Sequence, residues 1–88
     1  MSDLTFEAPI GVDVKGETWS CVEVPGAVEF FGSGKSVRAD ATVDGLALPN
    51  VGLMPTGLGG LMLSLSATVR KQLGKDLGDV VRVEIDRR

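Results

Sequence analysis

Strict alternation of apolar and polar side chains is the plainest signal in this chain. Val37, Ala39, Ala41 and Val43 interleave with Arg38, Asp40 and Thr42, and Val81, Val83 and Ile85 interleave with Arg82, Glu84 and Asp86. A period of two belongs to a strand with one buried and one wet face, so both stretches are predicted as strands. Asp44-Gly45 follows the first as a tight hairpin turn, because glycine accepts positive φ. The chain then returns as a partner strand over 46–51, blunted by Pro49. Other short runs fill in the pattern. Residues 4–14 read as extended, with Pro9 limiting them to an edge or bulged strand. Lys15-Gly16-Glu17 reads as a turn. A strand over 18–24 places Val22 and Val24 on one face and Trp19, Cys21 and Glu23 on the other, and a further strand covers 61–65.

Only two segments suit helices, and both are short. Pro25 fits the first position of a helix over 27–31, where its missing N–H costs nothing, and Gly32 stops it. Ser66 is placed to cap a helix over 67–73, ended by Gly74. Leu77-Gly78-Asp79 turns the chain into the last strand.

These elements repeat. Val22-Glu23-Val24-Pro25, Val28 and Phe31-Gly32 precede one alternating strand. Leu63-Ser64-Leu65-Ser66, Val69 and Leu73-Gly74 precede the other, with one extra residue before the Leu-Gly pair. A single strand–helix–strand unit cannot bury its apolar face, whereas two can close a barrel. The expected architecture is therefore mainly β: one domain over 1–88, a small closed or double-split barrel of about six strands with two short helices. An internal pseudo-twofold would relate repeats at about 18–45 and 60–88.

Composition narrows function mostly by exclusion. The chain has 88 residues and a net charge of −3, which disfavours nonspecific binding to nucleic acid or anionic membranes. The charge is uneven: residues 1–65 carry three Lys/Arg and eight Asp/Glu, and residues 66–88 carry six and four. Cys21 is the one cysteine, so no internal disulfide forms, and a small strand residue is the reading adopted for it. The first residues lack a leader's basic and apolar regions, and no apolar run reaches the ~20 residues of a membrane span. A cytoplasmic monomer is expected.

Histidine is absent, which removes the commonest general acid–base, and no clustering of carboxylates or metal ligands is implied by spacing. No enzyme, metal or cofactor is expected. Gly32-Ser33-Gly34-Lys35-Ser36 looks like the end of a phosphate-binding loop. However, Glu29 stands where that loop needs its first glycine, and a strand follows instead of a long helix. Gly57-Leu58-Gly59-Gly60 could form an anion nest, but reads better as a loop near a barrel mouth. Trp19, Met54, Pro55 and Gly57 are the candidate ligand contacts. The lone Trp19 would either pack under a helix on the barrel's outer face or serve as an exposed anchor. Arg70 and Lys71, with Arg38 and Arg82, are the candidate contacts for nucleic acid.

Two resemblances follow from these residues. Phe6-Glu7-Ala8, Trp19, Val22-Glu23-Val24-Pro25, Phe31-Gly32, Asp44-Gly45, Leu53-Met54-Pro55-x-Gly57, Val69-Arg70-Lys71-x-Leu73-Gly74 and Gly78-Asp79-x-Val81 resemble a bacterial and archaeal family of uncharacterised small β-barrel domains. Some members are fused to, or named with, a bacteriocin-protection (YdeI/OmpD-associated) domain. The resemblance implies a fold and no activity. Ser66 stands where members often have Pro, and Leu58 where they have a more polar residue. The stretch from Leu65 to Val81 also resembles the half-barrel of AbrB/MazE transcription factors, which dimerise and bind DNA through basic residues. Here the acidic first half would replace the second subunit. The function expected is a non-catalytic binding or accessory module for an unknown small ligand or protein; a divergent AbrB/MazE-like DNA-binding regulator is the alternative.

Overall fold

A computed structural model describes residues 3–88; Met1 and Ser2, part of the segment judged to lack a leader, lie outside the described residues. The elements in chain order are β1 (Leu4–Pro9), β2 (Val12–Val14), β3 (Glu17–Trp19), β4 (Cys21–Val24), α1 (Ala27–Phe31), β5 (Val37–Val43), β6 (Leu46–Pro55), β7 (Leu61–Ser64), α2 (Ala67–Leu73) and β8 (Val80–Arg87). Six strands form one antiparallel sheet in the order β1-β8-β5-β6-β7-β4, curled into a nearly closed barrel, and β2 and β3 form a separate hairpin.

Local chemistry explains most of these boundaries. Asp44 and Gly45 both take positive φ, 48° and 85°, which is the geometry that joins β5 to β6 with matching twist. Lys15 and Gly16, at 51° and 82°, do the same between β2 and β3. The Ser66 hydroxyl accepts from the Val69 N–H, 3.2 Å away, and starts α2 as its sequence position implies. The start of α1 differs from expectation. Pro25 is not its first residue; Gly26 intervenes in the left-handed conformation and α1 begins at Ala27.

Most strand pairings read the same when the two halves are exchanged; the exception is β6 with β7, whose counterparts β1 and β4 are the unpaired ends of the sheet. In β4–β7, Cys21 faces Ser64 and Glu23 faces Met62, with Val22 opposite Leu63 at the centre. In β5–β8, Ala41 faces Ile85 and Val43 faces Val83, with Thr42 opposite Glu84 at the centre. Leu4, Phe6 and Ala8 of β1 pair with Ile85, Val83 and Val81, as Leu46, Leu48 and Val51 of β6 pair with Val43, Ala41 and Ala39. The equivalence thus reaches back to β1 and β6, beyond the 18–45 and 60–88 segments where the sequence pattern is visible. A bulge hides it there. Pro49 and Asn50 together oppose Asp40, and Asn50 takes a positive φ of 54°.

The barrel interior is filled from both halves. Val22, Val24, Val43, Leu53, Leu61, Leu63, Leu65, Val81, Val83 and Ile85 are buried in one cluster, against which Val28 and Phe31 of α1 and Val69 and Leu73 of α2 pack. Where the halves differ is in the connection from the first strand to the second. The second half uses the loop 56–60. The first half inserts the β2–β3 hairpin, which lies on the outer face of the sheet. A small second core of Val12, Val14, Cys21 and Met62, with Met54 against it, holds it there.

Candidate functional site

The hairpin's register places Trp19 where a cleft can form. Trp19 is directly opposite Val12, and Glu17 opposite Val14, so Trp19 shares the face that Val12 and Val14 bury against the sheet. On β3, Trp19 lines the cleft and stays 40% exposed. The expected strand over 18–24 breaks at Ser20, and that break lets the hairpin fold back over β4 and β7. The packing under a helix considered for Trp19 is not what is found. Thr18 Oγ1 donates to Asp13 Oδ1 at 2.9 Å on the opposite, outward face.

Across from the hairpin stand the end of β6 and the loop after it. Thr56 is 4% exposed in an otherwise open loop. Its hydroxyl oxygen accepts from the Leu58 N–H (3.1 Å) and the Gly60 N–H (3.3 Å). Its own N–H donates to the Gly60 carbonyl at 2.9 Å. One buried side chain therefore holds the loop in shape, and Leu58 is left 87% exposed at its tip. Between the two walls lies a cleft of about 480 Å³. Asp13, Val14, Lys15 and Trp19 line one side, and Pro55, Thr56, Gly57 and Leu58 the other.

Three of the four candidate ligand contacts, Trp19, Pro55 and Gly57, thus meet in one place. Met54 does not join them. It and Pro55 lie beyond the strand expected over 46–51, at the end of a longer β6, where Met54 pairs with Met62 and packs beneath the hairpin. The sequence reasoning missed Asp13, Val14, Lys15, Thr56 and Leu58 as cleft residues; the turn at Lys15-Gly16 was legible, but not the surface it folds onto.

Cys21 lies in the second core. Burial pushes its thiol above the ordinary value, against a smaller opposing effect from a hydrogen bond with Ser64, so the thiolate form is disfavoured.

The four candidate nucleic-acid contacts are dispersed and partly engaged. Arg38 donates through Nε to Asn50 Oδ1 (3.0 Å) and through its guanidinium to the Asn50 carbonyl, bracing the β6 bulge. Arg70 donates to the Leu65 carbonyl (2.6 Å) and pairs with Asp76 (3.2 Å). Arg70 and Lys71 do line a common cavity of about 440 Å³ with Lys75, but Asp76 and Asp79 share it. Arg82 sits on β8, cross-strand from Glu7. Its backbone is bound by Asp44, which accepts the Arg82 N–H through Oδ1 and donates its own N–H to the Arg82 carbonyl, both at 2.8 Å.

Asp44 also pairs with Lys75 at 2.6 Å. The Arg82 N–H is the first cause holding the Asp44 carboxyl below the usual range, and the Asn50 N–H does the same for Asp40. Among the described residues no group of three or more His, Cys, Asp or Glu is arranged to hold a metal ion. No described helix is long and apolar enough to cross a membrane.

Fold and cleft together define a small, nearly closed six-stranded β-barrel domain with two short helices, carrying a hairpin-covered cleft on its outer face. The chain belongs to a family described as a domain of unknown function, DUF1905, whose model matches residues 6–85. No curated protein matches the chain.

Proposed function

We propose that this domain is a non-catalytic recognition module and that it binds its partner in the cleft between the β2–β3 hairpin and the 56–60 loop. One observation carries the reading. Trp19, Pro55 and Leu58 are exposed apolar groups from two separate segments, and they line a single cleft. Exposed apolar side chains are unremarkable singly, but their convergence over a rigid support is what a binding surface requires. The support is the second core beneath the hairpin and the Thr56 hydrogen bonds beneath the loop. The cleft carries two opposite charges, Asp13 and Lys15, and no acid–base or nucleophile pair, so binding is the chemistry it supports. The resemblance to AbrB/MazE half-barrels enters this reading as architecture alone. The cations that would contact DNA are separated or share their cavity with carboxylates.

Trp19 is the single tryptophan, so its fluorescence reports on the cleft directly. Screening a peptide and metabolite collection by Trp19 emission, with amide shifts as a second readout, should yield ligands whose shifts centre on residues 13–19 and 55–58. Ligands whose shifts centre elsewhere, or no ligand at all across the collection, would sink the proposal.

A further inference from the structure

We infer that the occupant of the cleft is an extended, proline-containing protein segment bearing a basic side chain; this rests on the cleft being the binding site. The backbone beside the cleft is poorly suited to strand addition. Positive φ at Lys15 and Gly16 makes the turn a two-residue one, so Val14–Glu17 and Val12–Trp19 are the pairs that exchange hydrogen bonds within the hairpin. Only Thr18 of β3 then turns its backbone groups outward. A segment that needs no backbone ladder is favoured, and polyproline II is such a conformation, since it forms no internal hydrogen bonds and docks on aromatic surfaces. Trp19 offers that surface, and its indole N–H makes no hydrogen bond to any described residue, leaving it available to a peptide carbonyl. Pro55 and the open Leu58 extend the apolar wall.

Charge selects the basic side chain. Lys15 is the one cation of the hairpin, against Asp13 and Glu17. Glu23, exposed on β4, points its carboxylate toward Gly60, 3.1 Å from where a Cβ would stand there. The lining balances Asp13 against Lys15, and the flanking carboxylates Glu17 and Glu23 give its surroundings a net negative charge. An Arg or Lys lying over the Trp19 ring meets a negative ring face and, two residues along the same face of β3, Glu17.

The test uses the full chain and three synthetic decapeptides: one rich in proline with arginines, the same with glutamates for the arginines, and one with the arginines but alanine for proline. The first should shift Trp19 emission saturably and move the amides of residues 13–19 and 55–58. Its affinity should fall several-fold between low and moderate salt. Pro55→Ala should weaken it by about tenfold, and Asp13→Asn with Glu17→Gln should flatten the salt dependence. Equal or better binding of the glutamate or alanine peptide at the same amides would overturn the inference while leaving the cleft as the binding site. Binding of the first peptide that moved only amides away from the cleft would remove both, and no response to any of the three would overturn the inference alone.

Discussion

Replacing Thr56 with valine removes one oxygen and little volume, and it tests how the cleft is built. The Thr56 hydroxyl is the acceptor for two backbone N–H groups, those of Leu58 and Gly60. In Thr56→Val both lose their partner. Leu58 is open to solvent and its N–H can turn to water, so that loss costs little. Gly60 is half-buried, and leaving a buried donor unpaired costs about 1–2 kcal/mol. For a domain of this size that lowers Tm by about 5–15 °C.

Thr56→Ser keeps the oxygen and loses only a methyl group, costing at most about 0.8 kcal/mol. Urea unfolding followed by circular dichroism measures the stabilities, and amide exchange locates the change. Exchange at Leu58 and Gly60 should quicken in the valine variant and stay near the parent rate in the serine one. If Thr56→Val matched the parent in stability and left those two amides protected, the Thr56 hydroxyl would not be what shapes the loop.

Three other outcomes follow from the same structure. Leu63→Ala, on the central pair of β4 and β7 and 1% exposed, should cost about 3–5 kcal/mol by cavity formation; denaturant titration would show a much smaller loss if the barrel interior were loosely packed. Asp40 and Asp44 have folded-state pKa values below their ordinary ones. The stability they contribute is present above about pH 4 and is lost as pH falls through the lower folded values. Asp44→Asn should flatten stability measured from pH 5 to pH 2, and an unchanged profile would refute the linkage. Cys21, buried beneath the hairpin with its thiol pKa raised, should resist alkylation in the native protein and react quickly in urea, so rapid native labelling would show that the hairpin does not stay seated.

The alternation of 37–43 and 81–86, the Asp44-Gly45 turn and the Ser66 cap with its Gly74 stop were legible from the chain alone. Each depends on residues a few positions apart: glycine's access to positive φ, a hydroxyl within reach of an N–H three residues on, and a period of two that shows one face of a strand is apolar. The same locality marks where legibility ends. An apolar face does not declare what will cover it, so Val12, Val14, Cys21 and Met62 read only as residues of extended segments, whereas they form a separate core under a hairpin. Nor does local sequence show that Ser20 breaks one strand into two, or that the Pro49–Asn50 bulge lets β6 run on through Met54 and Pro55. That bulge and the inserted hairpin shift the phase between the halves, which is why β1 and β6 showed no visible repeat.

The cleft belongs wholly to the tertiary level. Trp19 and Pro55 lie far apart in sequence, and they share a cleft because β4 and β6 both pair with β7 and the hairpin folds across that sheet. The chain determined its strands, turns and caps through short-range sterics and hydrogen bonding; only the packing of one half against the other decided which exposed side chains would become neighbours.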